Sequence, residues 1–257
     1  WMTGMWFDPD RSGEGFHIFV LDDERAVVTW FSWSPNGGQA WFLGIGKVEG
    51  NSIIVSETEI TSGTVFGEDF NSDDVVRSNW GTIRISYEDC VNANVTFVSD
   101  AGEFGNGGYR LERLSTPRGV NCQDMITSGG NTGRFTSAWF DPTRSGEGWF
   151  FEELADGRVL VTWYTYDLDG NQMWLLGVGN VVNGMVEVPE MLIVSGGIFG
   201  PDFDPDAIAE RAWGSLRFEK TDCTSGQISF EAIDSAFGSA TREVILLAGV
   251  DGLGCAD

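Results

Sequence analysis

Two glutamates stand out for the chemistry they could do. Glu14 and Glu147 each sit between glycines in a decapeptide that the chain spells almost twice, FDPDRSGEGF at Phe7–Phe16 and FDPTRSGEGW at Phe140–Trp149. Two carboxylates within about 5–10 Å of each other are the machinery of glycoside hydrolysis, and Asp8 or Asp141 could supply the second one in each copy. The competing reading is architectural. Asp-Pro after an aromatic residue stops a strand, because proline withholds a ladder donor, and the glycines then restart the chain in conformations that other residues resist. Arg11 and Arg144 stand three residues before the glutamates, near enough to pair with them at a corner. The architectural reading carries more weight, and no catalytic residue is assigned.

The other reactive residue types are weaker. His17 is the sole histidine, and the equivalent position of the second copy is Phe150. A histidine-dependent site therefore cannot be duplicated, which removes most of the support for a serine triad or a histidine-ligated metal. Asp167, Asp169 and Asn171 in DLDGN resemble the start of a calcium loop, but no such loop completes the twelve-residue spacing with a closing glutamate. Copy one has SPNGG at that point. These letters read first as turns, and calcium is the only cofactor they suggest.

What positions these residues is a duplicated unit. Sliding the chain by 133 positions aligns Trp6-Phe7-Asp8-Pro9 with Trp139-Phe140-Asp141-Pro142, Val28-Thr29-Trp30 with Val161-Thr162-Trp163, and Trp80-Gly81 with Trp213-Gly214. Phe66-Gly67 and Phe70 align with Phe199-Gly200 and Phe203. The four cysteines obey the same offset, Cys90 with Cys223 and Cys122 with Cys255. Of the three pairings that four cysteines allow, the repeat selects Cys90–Cys122 and Cys223–Cys255. Each would close about 30 residues and contribute roughly 3 kcal/mol by loop entropy. Disulfides imply an oxidising compartment, and no CxxC spacing supports a thiolate metal site instead. Copy one is expected over residues 1–122, a connector over 123–134, and copy two over 135–257.

Within a copy, short segments rich in β-branched and aromatic residues alternate with hairpin-like links such as DDE, SPNGG and EGN. Strands are expected at about 3–8, 13–21, 25–34, 39–48, 51–60, 78–89, 92–99 and 107–115, and again 133 residues later. Eight consecutive antiparallel strands need closure to hide their edges. The expected fold class is all-β, two tandem antiparallel meander barrels of about eight strands, with β-sandwiches as the alternative. A helical turn or two is expected in DPDAIAERAW from Asp204, where Asp caps and Pro opens the turn. Its counterpart is NSDDVVRSNW.

The recurring tryptophans Trp6, Trp30, Trp41 and Trp80 suit a core role. Phe31 and Trp33, with Tyr164 and Tyr166 in copy two, lie on the opposite strand face from Trp30 and Trp163. They could form a stacking platform for sugar rings, with Gln39 and Gln172 bonding hydroxyls. The competing reading is packing of the two copies against each other. With 39 acidic residues against 15 basic and a net charge of −24, the chain is expected to repel nucleic acid and anionic lipid. No apolar run approaches a membrane-spanning length.

The string W-F-D-P-x-R-S-G-E-G, followed by T-W-[FY] and W-x-x-G, resembles a tryptophan-rich tandem repeat of secreted bacterial proteins, and it covers both copies. The resemblance implies secretion and duplication and brings no catalytic residues with it. In outline each barrel is similar to avidin-like or lipocalin-like folds, a likeness of shape alone. The expectation is thus a secreted, periplasmic or cell-surface protein that binds without catalysis. Its expected partner is a glycan or cell-surface polymer met through surface aromatics, or copies of itself if the protein is structural or adhesive. A glycoside-active enzyme using Glu14 and Glu147 is the third reading.

Overall fold

A computed structural model describes residues 1–120 and 134–253. The chain forms two closed eight-stranded antiparallel barrels, which decides for barrels over sandwiches. The first contains β1 (Gly4–Phe7), β2 (Gly15–Val20), β3 (Arg25–Trp33), β4 (Gln39–Glu49), β5 (Ser52–Ser62), β6 (Val76–Tyr87), β7 (Asn92–Ser99) and β8 (Asn106–Arg113). The second contains β9 (Ser137–Phe140), β10 (Gly148–Glu153), β11 (Arg158–Tyr166), β12 (Gln172–Val182), β13 (Met185–Ser195), β14 (Ala209–Lys220), β15 (Ser225–Ala232) and β16 (Ser239–Gly249). Each strand pairs with the next, and β1 closes the first barrel on β8 through Trp6 opposite Arg113. β9 closes the second on β16 through Trp139 opposite Leu246.

Turn chemistry shapes the links as the letters suggest. The expected helical segment is a single 3-10 turn at Pro205–Ala207, capped by the Asp204 carboxylate on the Asp206 amide. Asn71 caps the matching turn at Ser72–Asp74. The strand that follows takes over at Ala209, so AERAW is extended rather than helical. Among the described residues no helix is long and apolar enough to cross a membrane.

Each interior is filled. In barrel one Trp30 lies 5.0 Å from Phe16, 5.5 Å from Trp80 and 5.0 Å from Phe97, ring centre to ring centre. Trp163, Trp149, Trp213 and Phe230 repeat this arrangement in barrel two. A barrel of eight strands is just wide enough for its own side chains, and these indoles occupy the space a ligand would need.

Cys90 and Cys223 occupy equivalent hairpins, and no described cysteine is free. Their expected partners Cys122 and Cys255 lie outside the described residues, as does nearly all of the connector.

Candidate functional site

The repeated decapeptide is the seat on which each barrel receives a loop of the other. In barrel one the Arg11 guanidinium donates to Glu14 Oε1 at 2.5 Å, and Ser32 donates to Oε2 at 2.5 Å. In barrel two Arg144 and Thr165 hold Glu147 in the same way. The outer ends of the two arginines cross to the opposite copy. Arg11 donates to the carbonyl of Gly200 and lies 4.4 Å from the Phe203 ring centre, and Arg144 donates to the carbonyl of Gly67 and lies 4.0 Å from Phe70. Gly13 and Gly146 take positive φ, and a Cβ on either would stand within 3 Å of Ile208 or Val75 on the incoming loop. That pairing of backbone freedom with close approach is what Ser-Gly-Glu-Gly supplies.

The incoming loops end in plugs. Phe66, from the β5–β6 loop of copy one, sits in the core of barrel two against Trp163, Trp213, Phe230 and Phe237. Phe199, from the β13–β14 loop of copy two, sits in barrel one against Trp30, Phe97 and Phe104. Main-chain bonds anchor both plugs, from the Phe66 amide to the Asp167 carbonyl and from the Phe199 amide to the Ser34 carbonyl.

Glu14 and Glu147 are therefore buried, and each of their oxygens already accepts a hydrogen bond. Burial pushes the Glu14 carboxyl up from its ordinary range, and Arg11 and Ser32 oppose that shift. Asp8 and Asp141 are committed to their own turns, accepting from the amides of Asp10 and Thr143.

The expected sugar platform is not on the surface. Phe31, Trp33, Tyr164 and Tyr166 are all buried, because β3–β4 pack against β11–β12 and cover them. Gln39 donates to the Trp174 carbonyl and accepts from its amide, while Gln172 makes the same two bonds to Trp41. The Trp41 indole donates to the Thr165 carbonyl, and the Trp174 indole to that of Ser32. Trp41 and Trp174 thus serve the joint and not a barrel interior. The six residues assigned to ligand contact hold the two copies together.

The joint departs from its two-fold repetition at its centre. His17 Nδ1 lies 3.2 Å from Thr162 Oγ1, and Nε2 lies 3.3 Å from Glu152 Oε2, with both charged-type side chains fully buried. The equivalent positions across the axis are Phe150 and Phe19, whose rings lie 5.3 Å apart. On that side Tyr164 instead bonds Thr29 at 2.9 Å. His17 is a joint residue, more buried than a half-covered strand position.

Asp167, Asp169 and Asn171 form a hairpin turn in which Asp167 Oδ1 accepts from the amides of Asp169 and Asn171, and Oδ2 from the Asn171 amide group. The Asp167 carboxylate is spent on its own loop. Among the described residues no group of three metal-ligating side chains converges.

What the sequence reading missed is an open groove of mixed polarity, about 520 Å³, on the outer face of barrel two, lined by Asn180, Glu187, Ser215, Arg217, Ser229 and Glu231 together with apolar residues such as Val182 and Pro189. A bulge between Val188 and Met191 in β13 bends the strand beside it. The matching positions of copy one are Lys47, Ile54, Thr82, Arg84, Thr96 and Val98. The signal was available at outward strand positions where the copies differ.

No protein-family model, curated protein or solved structure matches this chain.

Proposed function

We propose that this is a secreted protein that binds an extracellular glycan or cell-envelope polymer without altering it, through the outer groove of barrel two. The observation that carries the reading is the groove itself. Amide, hydroxyl, carboxylate and guanidinium groups converge on an open channel, and the one ion pair across it, Arg217 to Glu187, is a loose contact at 3.6 Å. Such a surface offers donors and acceptors to a chain of hydroxyls and excludes little water, which suits weak recognition of a polymer. The commitment of Glu14 to Arg11 and Ser32, and of Glu147 to Arg144 and Thr165, supports binding over turnover. Secretion rests on the resemblance of the repeat and on the disulfides Cys90–Cys122 and Cys223–Cys255, which belong to this proposal.

Retention on insoluble polysaccharides tests it. The native protein should be held by at least one polymer, and Arg217→Ala with Glu231→Ala should release it at unchanged melting temperature. Retention unaffected by that double change, or absent across a broad glycan panel, ends the reading. Trp33 and Tyr166 are poor probes, since changing either disturbs the joint.

A further inference from the structure

The joint encloses a second site that is unrelated to the groove. A cavity of about 280 Å³ lies between the barrels on the Tyr164 side of the two-fold axis, walled by Trp41, Phe140, Phe150, Tyr164 and Leu247 and floored by Gly148. We propose that it binds a small, uncharged, largely apolar molecule carrying one hydrogen-bonding group.

The cavity exists because of one hydroxyl. On the opposite side of the axis the Phe31 ring lies over Gly15, so that a Cβ there would stand 2.8 Å from it. The ring also packs 5.1 Å from Trp174. The matching ring in copy two is Tyr164, whose hydroxyl donates to Thr29 Oγ1, while Thr29 donates onward to the His17 carbonyl. That chain of bonds draws the ring toward barrel one, and no atom of Tyr164 comes within 4 Å of a Cβ built on Gly148. The volume that Phe31 fills on one side is left open on the other. An apolar space of this kind, reached from solvent and edged by a few polar groups, is the usual form of a small-molecule site.

The lining also selects the ligand's charge. Glu147 faces the cavity with both oxygens already bonded to Arg144 and Thr165, and Thr61 already accepts from Tyr166 and Gln172. No unpaired charge waits inside for a counter-ion. At the mouth Arg77 and Glu59, both about half exposed, stand 3.7 Å apart, and Arg77 also donates to Ser145. They offset each other's charge yet leave a donor and an acceptor side by side, which suits an alcohol, phenol or amide. The net charge of −24 works against an anion, and an amine would meet Arg77.

Calorimetry with 1-naphthol, 1-naphthoate and 1-naphthylmethylammonium decides the matter. The neutral probe should bind saturably, one molecule per chain, and each charged analogue should bind at least about tenfold more weakly. Tyr164→Phe should free the ring to settle over Gly148 and abolish binding. Leu247→Trp, at a half-exposed position on the rim, should block the mouth without touching the joint, and it serves if the first variant misfolds. Absence of saturable binding, equal binding of charged and neutral probes, or full binding by a folded Leu247→Trp would each overturn the proposal.

Discussion

The two halves of the joint share their hydrogen-bonded frame and differ in what fills it. On both sides a glutamine bonds the backbone of the opposite tryptophan, and an arginine–glutamate pair receives the opposite plug. Between these fixed points one side carries His17, Thr162 and Glu152 with Phe31 closing the space. The other carries Phe150, Phe19 and Tyr164 with the space open. Contacts to main chain recur because a strand's carbonyls stay in place when side chains change. Contacts confined to side chains at the centre, such as His17 with Thr162 and Glu152, have only each other to satisfy, so paired changes on one side leave the other intact.

The sharpest way to break the symmetry is to remove a plug. Phe66→Ala or Phe199→Ala empties the mouth of the opposite barrel and should cost about 3–5 kcal/mol in urea unfolding, as large-to-small core changes do. If the plugs are equivalent, the two losses agree. The polar centre comes next. His17→Phe takes away the imidazole that lies 3.3 Å from the buried Glu152 carboxyl, whose oxygens make no hydrogen bond among the described residues. It should cost about 1–3 kcal/mol. Adding Glu152→Phe copies the opposite side and should recover most of that loss, because exchanging a buried pair for apolar residues is often neutral or better. A double variant no more stable than the single one would mean the pair does more than fill space. A comparable effect tests the recurring frame: Gln39→Leu or Gln172→Leu leaves a buried carbonyl and amide unbonded and should cost about 1–3 kcal/mol by chemical denaturation.

The least disruptive test uses pH. All four tyrosines have raised hydroxyl pKa values, mainly through burial, and Tyr166 is pushed up to about 12. Folding then favours the protonated phenols, so this stability is fully present below the ordinary tyrosine value near 10 and is lost as pH rises toward 12 and beyond. Absorbance at 295 nm should stay flat through pH 10 and then rise together with unfolding. Independent ionisation of Tyr164 or Tyr166 in the folded protein would show that the joint breathes.

The strands were legible because each signals itself locally. NANVTFVS alternates along β7, and the observed Asn92–Ser99 matches the expected span. Duplication helped as well, since each turn is written twice. The joint was harder to read. β3 runs AVVTWFSW with nearly every residue buried, and a strand covered on both faces loses its alternation. That continuous apolar run pointed to cover on the second face, and of the two readings given to the aromatics there, a surface platform and packing between the copies, the structure supports the second. The plugs were read only as matching letters. Nothing local says that Phe66 in a polar loop crosses to another barrel, although a large aromatic recurring inside a loop invites the question. The groove and the cavity arise where the copies differ, and an alignment of the repeats against each other keeps only what they share.

Because each barrel's stopper is encoded in its neighbour, a lone copy would present an unfilled mouth and a bare apolar flank. Genes carrying this unit should therefore gain or lose it two at a time, and a single copy expressed alone should find a second one and rebuild the same embrace between separate chains.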